Sequence, residues 1–330
     1  MKDYLAKVMR GEPLSEGEAG AAMGTIMDGQ ATPAQIGAFL AALAVRGETE
    51  DEIVGFARTM RARAVPIRSK GAIDTCGTGG DGSHTFNIST VASLVVAACG
   101  VPVAKHGNRS ARCGSADLLE ALDVKIDATP LAVQRSLDDH GWAFLFAPGF
   151  HAATRHAVLP RKEIGVRTAF NLLGPLTNPA QPEAQIVGVP RLELTSFMGR
   201  CLMRLGVKRA WVVHGGGLDE ISPAGETTVA AVEDGSLRTF TVRPQDAGLE
   251  PAPLESIKGG DAAHSAKIAR EVLGGARGAR RDVVVLNSAA ALVVAGRAGS
   301  LGEAARQAEQ AIDDGAARAL LERVREASHR

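Results

Sequence analysis

The chain has 330 residues, 45% hydrophobic and 22% charged, a balance that suits a soluble globular protein with room for one large domain and a smaller one. Lysine plus arginine and aspartate plus glutamate number 37 each, so the formal net charge is zero, which argues against a chain whose main task is neutralising nucleic-acid phosphates. Cys76, Cys99, Cys113 and Cys201 are too scattered for a zinc site or a secreted disulfide scaffold, and the start MKDYLAKVMRGE lacks an apolar signal-peptide core, so a cytoplasmic setting is expected.

The first 67 residues read as helical. Ser15 with Glu18, Thr32 with Gln35 and Thr49 with Glu52 have the spacing of capping boxes, in which two side chains satisfy otherwise unpaired amides at a helix start. Ile36, Phe39, Leu40 and Leu43 fall on one apolar face, as do Ile53, Phe56 and Met60. Pro66 closes this unit. From Ile67 on, short apolar runs alternate with helical stretches. Strands are expected at Ile73–Thr75, Val101–Ala104, Ala143–Phe146, Ile186–Val189 and Trp211–Val213. Helices are expected over Ser89–Cys99, from Ser115, from Thr129-Pro130 to Gly141, and over Asp282–Ala295, with a cap at Ser300 and Glu303. The uncharged run Gly82–Ala104 is read as a buried helix followed by a strand, since its polar residues and Pro102 do not suit a membrane span. This alternation predicts an α/β fold: an all-helical unit, residues 1–67, and a larger α/β domain, residues 68–330, with a central, largely parallel sheet covered by helices.

Three polar words follow predicted strands. GTGGDG at 77–82 places four glycines in six positions before a helix. Glycine permits close backbone approach, and successive amides ahead of a helix N-terminus form an anion-binding nest; a tight turn that binds nothing is the plainer alternative. KHGNRS at 105–110 offers Lys105 and Arg109 as phosphate counter-charges, though a solvated loop can hold the same residues. HGGGLDEIS at 214–222 carries the adjacent carboxylates Asp219 and Glu220, hard oxygen ligands suited to magnesium that also touches phosphate, although adjacent acids are common on surfaces.

With these words in the order GTGGDG, FNIST (86–90), KHGNRS, RTAFNLLGPLTNP (167–179) and GLDE (217–220), the chain resembles the anthranilate phosphoribosyltransferase family over nearly its whole length. The resemblance implies transfer of a phosphoribosyl group from phosphoribosyl pyrophosphate (PRPP) to the amine of anthranilate, with magnesium, in a homodimer. It implies PRPP contacts at Gly77, Gly80, Asp81, Thr85, Asn87, Ile88, Ser89, Thr90, Lys105, His106, Gly107, Asn108, Arg109, Ser110 and Ser115. Magnesium-associated positions are Ser89, Asp219 and Glu220. Anthranilate contacts are Gly77, Asn108, His151 and Arg161, with His106 nearby, and Lys105, Asn108 and Arg161 are the residues expected to serve the chemistry. The resemblance also implies a small helical domain completed by a returning helical segment at about 162–184; LLGPLTNP belongs to it and is read as structural.

Two departures stand out. Related sequences carry a longer serine-rich loop where this chain reads NRSARCGSAD at 108–117, with Arg112 as an electrostatic substitute, and His84 stands where glycine is common. Arg161 has a competing reading as a surface ion pair with Glu163. His151 and His156, five apart, do not make a same-face metal pair. A nucleoside phosphorylase of the same superfamily and a non-catalytic nucleic-acid-binding relative are the alternatives; nucleic-acid and membrane partners are not expected.

Overall fold

The computed structural model describes residues 1–110 and 112–330. Four helices come first: α1 (Lys2–Met9), α2 (Glu16–Met27), α3 (Pro33–Arg46) and α4 (Glu50–Arg63). All three expected capping boxes are formed, at Ser15, Thr32 and Thr49. The third is reinforced from within. The Glu52 carboxylate, fully buried, accepts from the Thr49 and Leu14 amides at 2.9 and 2.8 Å and pairs with Arg46, tying the starts of α2 and α4 to the end of α3.

The sheet then begins. In chain order come β1 (Ile73–Gly77), α5 (Ile88–Ala98), β2 (Val103–Gly107), α6 (Ser115–Ala121), α7 (Pro130–His140), β3 (Trp142–Phe146), α8 (Ala147–Phe150), α9 (Arg155–Ile164), α10 (Ala169–Leu176), β4 (Ala184–Gly188), α11 (Glu193–Arg204), β5 (Arg209–His214), β6 (Thr227–Glu233) and β7 (Ser236–Val242). Four helices close the chain: α12 (Ala262–Leu273), α13 (Ala279–Val294), α14 (Leu301–Asp313) and α15 (Ala316–Ser328). The strand order is β3-β2-β1-β4-β5-β6-β7, parallel from β3 to β5 and antiparallel beyond. The order reverses direction at β1, which lies between β2 and β4, and ligands of open α/β sheets settle outside the carboxyl ends of strands at such a switch point.

One apolar core covers a sheet face with α5, α12, α13, α14 and α15. A second joins α2, α3, α4 and α10 to α11 and the opposite side of β4, β5 and β6. Among the described residues no helix is long and apolar enough to cross a membrane.

The hairpin β6–β7 was not expected; it turns at Asp234-Gly235, both with positive φ, the backbone that a tight two-residue hairpin requires. The strand expected at Val101–Ala104 runs instead over Val103–Gly107, so Lys105 and His106 are strand residues and not loop residues. Parallel pairing with β3, Lys105 opposite Phe144 and His106 opposite Leu145, holds them there. Around the return expected at about 162–184, α10 packs on α3 and α4, and α9, which starts at Arg155, packs on α2 and α3. Pro160 inside α9 masks this helix in the sequence. Ile88, expected at the ligand, sits in the first turn of α5 with its side chain in the core.

Candidate active site

Strand ends and loops converge on a cleft of about 800 Å³ at the carboxyl edge of β1, β2 and β4. Its floor is the loop that follows β1. Gly79 and Gly80 take φ of +66° and +82°, and the Asp81 carboxylate folds the loop back by accepting from the Ser83 amide at 3.0 Å and the Ser83 hydroxyl at 2.6 Å. His84 adopts φ +57°, a left-handed conformation that glycine takes without strain. The Gly259 amide bonds the His84 carbonyl at 2.9 Å, anchoring this loop to the segment before α12.

At the start of α5 the Ser89 amide donates to Glu220 Oε1 at 3.1 Å, placing a carboxylate at a helix N-terminus where the dipole favours it. Asn87 precedes this helix but does not cap it with its side chain. Its amide nitrogen donates to the Cys113 carbonyl at 2.9 Å, and Cys113 Sγ lies 3.3 Å from Asn87 Oδ1, so the loop after β2 is stitched to the FNIST segment. Gly77, Thr85, Asn87, Ser89 and Thr90 all line the cleft.

The end of β2 behaves less simply than a cationic loop. Lys105 is buried, with Nζ 2.5 Å from the Thr75 carbonyl and 3.5 Å from Ser89 Oγ. Burial lowers its pKa, while Asp74, Cys76 and Glu220 hold its charge in place. It is a counter-charge beneath the acidic pair. Arg109 turns away to Glu120 and Asp117, so its charge is already matched. Gly107, Asn108, Ser110, Arg112 and Ser115 line the cleft, with Ser115 Oγ occupying the space a Cβ at Gly107 would need. The expectation about the shortened loop falls partly on Ala111, outside the described residues.

Asp219 and Glu220 close the far wall. Asp219 Oδ2 accepts from the Gly79 amide at 2.8 Å, and the Asp219 amide lies 3.3 Å from Asp81 Oδ2. Burial, then the Asp81 charge, pushes the Asp219 carboxyl up to about 7. Burial, then Asp219, pushes Glu220 to about 8. These buried acids, with the Ser89 hydroxyl, are hard oxygen donors, with the Lys105 ammonium beneath Glu220 and the Arg167 guanidinium on the side of Asp219. Among the described residues no group of three or more His, Cys, Asp or Glu forms a metal cage. An incomplete oxygen set of this kind fits a partly hydrated divalent cation whose shell a ligand's phosphates complete.

The opposite wall comes from the helical side. Arg161 of α9 lies with Cζ 4.7 Å above the Phe170 ring, and no ion pair with Glu163 is formed. His106 and His151 stand 5.3 Å apart between the centres of their rings. His106 Nδ1 is 3.1 Å from the Gly174 carbonyl and His151 Nε2 is 2.9 Å from the Thr177 carbonyl. Carbonyls only accept, so these nitrogens carry the protons. That leaves His106 Nε2 and His151 Nδ1 as bare lone pairs, buried and without a partner among the described residues. Burial, reinforced by His151, lowers His106 to about 3, and burial lowers His151 as well.

Sequence reasoning missed Met60, Arg167, Phe170 and Asn171, all of which line the cleft. Three of them belong to the RTAFN half of RTAFNLLGPLTNP, to which the sequence reading gives no site role. The same word also supplies Asn178, whose buried amide donates at 2.8 Å both to Asp74 Oδ2 and to the Ala104 carbonyl; Asp74 Oδ1 in turn accepts from the His106 amide at 3.3 Å.

The whole arrangement has known counterparts. Residues 69–318 match the α/β domain and residues 2–64 the helical bundle domain of a glycosyl transferase family. The anthranilate phosphoribosyltransferase of Moorella thermoacetica is 55% identical over 98% of this chain and 96% of its own length. That of Symbiobacterium thermophilum is 53% identical over 100% and 98%. The crystal structure of the Thermus thermophilus enzyme superposes with a TM-score of 0.94 at 44% identity, covering 99% of this chain and all of the other. The Saccharomyces cerevisiae enzyme in complex with PRPP and Mg gives 0.90 at 28% identity, over 99% of this chain and 97% of that one. With sequence and fold shared over nearly its whole length, the chain belongs to the anthranilate phosphoribosyltransferase family.

Proposed function

We propose that the chain transfers the phosphoribosyl group of PRPP to the amine of anthranilate, releasing pyrophosphate, as a step of tryptophan biosynthesis. The observation that carries this is one cleft whose floor is a glycine loop with open amides at 80–82, whose far wall is an acidic pair, and whose near wall offers an arginine with no carboxylate partner among the described residues. Anthranilate is flat, with an aromatic ring and a carboxylate, and Arg161 over Phe170 suits both features.

In the reaction the bond from the anomeric carbon to pyrophosphate oxygen breaks as the amine nitrogen forms its bond to that carbon. Positive charge grows on the sugar and negative charge on the leaving group. The loop amides at 80–82 stabilise the latter from fixed positions, and the buried Lys105 supports the acidic wall from beneath. The aromatic amine is already unprotonated near neutral pH, so positioning matters more than a strong base. The bare lone pairs of His106 and His151 accept a hydrogen bond from the amine and help aim its own pair at the sugar. Asp219, Glu220 and Ser89 would hold magnesium, which when bound draws charge from the phosphates as a Lewis acid.

The rest of the assignment belongs to the same reading. A helical domain of residues 1–67, with the returning segment, forms one side of the cleft and residues 68–330 the other. A homodimer is supported by the exposed apolar residues Met9, Val45, Val158 and Leu159 on α1, α3 and α9, of which α3 packs against both others. Four free cysteines suit a reducing cytoplasm. Phosphorolysis of nucleosides is not favoured by the relatives. Incubating the purified protein with anthranilate, PRPP and magnesium should deplete anthranilate fluorescence and release pyrophosphate. A folded protein that does neither defeats the proposal.

A further inference from the structure

Arg167 lies in the short link between α9 and α10, both packed on the helical layer, yet its guanidinium crosses the cleft mouth to the glycine loop. Nη1 donates to the Gly79 carbonyl at 2.6 Å and Nη2 reaches the Thr78 carbonyl at 3.4 Å. It forms no ion pair among the described residues. It also fills the space above Gly80, where a Cβ would strike Nη1, so the glycine is needed both for its positive φ and for this approach.

In a trans peptide the N–H points opposite to the C=O. Fixing the Thr78 carbonyl therefore turns the Gly79 amide toward the acidic wall, where it meets Asp219 Oδ2 at 2.8 Å. Fixing the Gly79 carbonyl turns the Gly80 amide away from Arg167, and that amide finds no acceptor among the described residues. The Asp81 and Gly82 amides beyond it find none either. Of the other cations around the cleft, Lys105 lies beneath the acidic pair, Arg109 is matched by Glu120 and Asp117, and Arg161 lies over the Phe170 ring.

We propose that Arg167 is a positioning residue: by gripping the Thr78 and Gly79 carbonyls it aims the glycine-loop amides at the pyrophosphate end of PRPP, and it makes that cradle depend on the seating of the helical layer. This rests on the reading of the cleft as a PRPP site. Arg167 acts through backbone it holds, and a fork of two donors is what two adjacent carbonyls require.

The test uses the full chain and its variants Arg167→Ala and Arg167→Lys. Steady-state kinetics would give kcat and the KM for each substrate, calorimetry the affinity for magnesium pyrophosphate, and thermal melts the integrity of the fold. In Arg167→Ala the affinity for pyrophosphate should fall by about tenfold or more and the KM for PRPP rise in step, with the KM for anthranilate within about twofold. Arg167→Lys keeps the charge but loses the fork, and should recover only a minor part of the loss. Unchanged pyrophosphate affinity in Arg167→Ala overturns the proposal, as does full recovery in Arg167→Lys, which would make the side chain a simple charge. An equal loss for both substrates would also overturn it, by reducing the role to general structure. A wild-type chain that ignores pyrophosphate defeats the PRPP reading itself, a separate result.

Discussion

The Gly79 amide donates to Asp219 Oδ2 at 2.8 Å, so the glycine loop and the acidic wall hold each other before any ligand arrives. One hydrogen bond does not offset the burial of two neighbouring carboxyls, and Asp219 and Glu220 keep their protons up to about pH 7 and about pH 8. Unfolded, both ionise near about pH 4. Between those limits the native protein binds more protons than the unfolded chain, so its stability falls as pH rises, by about 1.4 kcal/mol per pH unit for each group. Metal-free protein should therefore lose melting temperature as pH climbs from about 6.5 to about 8, the window in which no buried histidine acts in the opposite sense. Asp219→Asn with Glu220→Gln should flatten that slope, and magnesium pyrophosphate should flatten it in the wild type. Melts across pH give the comparison; parallel slopes in variant and wild type would contradict it.

Gly188 ends β4 directly against the Asp219 backbone, and a Cβ there would overlap the Asp219 carbonyl group. Backbone cannot swing aside as a side-chain tip can. Gly188→Ala should push the acidic wall away from the cleft and lower kcat by roughly a hundredfold, the cost of misplacing reacting groups by about an ångström. Gly17→Ala, in α2 with open space around it, serves as the control and should melt slightly higher. Equal activity in the two variants would refute the steric argument.

His106 should be neutral at about pH 6, with its proton on Nδ1, and neutral His151 should carry its proton on Nε2. Their native pKa values lie below the usual 6.5, so the unfolded chain takes up protons there that the native chain refuses. This contribution to stability falls as pH drops below about 6.5, opposite in sign to that of Asp219 and Glu220, so the melting temperature of His106→Asn relative to the wild type should rise as pH falls from about 6.5 to about 5. Nitrogen-resolved NMR of the imidazoles at about pH 6 reads the tautomers directly, and a charged His106 ring would be the contrary result.

Much of this cleft could be read from the residues because its chemistry is local. Glycine loops, adjacent acids and capping boxes are patterns within a few positions, and the first two point to ligands by residue type alone. What escaped reading depends on distant contacts. Arg167 and Phe170 look structural until the chain folds the α9–α10 link over β1. Lys105 looks like a free phosphate ligand until parallel pairing carries it into β2 above the Thr75 carbonyl. The β6–β7 hairpin is a different case, since Asp234-Gly235 between β-rich runs was a local signal that could have been used.

Glu52 tests how the helical layer is held. Its buried carboxylate accepts from Leu14 and Thr49 amides and pairs with Arg46. Glu52→Ala leaves two amides without an acceptor and the Arg46 charge without its carboxylate, and should cost about 3–5 kcal/mol of stability. Glu52→Gln keeps an acceptor for the capping box and should cost less. Urea unfolding provides both values, and a loss below about 1 kcal/mol in Glu52→Ala would show that the network is dispensable.

Arg161 should decide how anthranilate is held. Its guanidinium is flattened on Phe170 at 4.7 Å, burial lowers its pKa, and it meets no carboxylate among the described residues. An arginine partly withdrawn from water and left unpaired is poised for an incoming anion, and the carboxylate of anthranilate is a bidentate match. Charge-assisted hydrogen bonds contribute about 1.5–3 kcal/mol, so Arg161→Ala should raise the KM for anthranilate roughly tenfold to a hundredfold. The KM for PRPP should stay within about twofold, because the glycine loop and acidic wall are untouched. Phe170→Leu keeps the apolar surface but removes the ring face, and should weaken anthranilate use only severalfold. Substituting benzoate as a competitive ligand isolates the carboxylate contact from the amine: it should compete for the wild-type site and fail to compete in Arg161→Ala. Equal inhibition of both proteins would place the carboxylate elsewhere in the cleft.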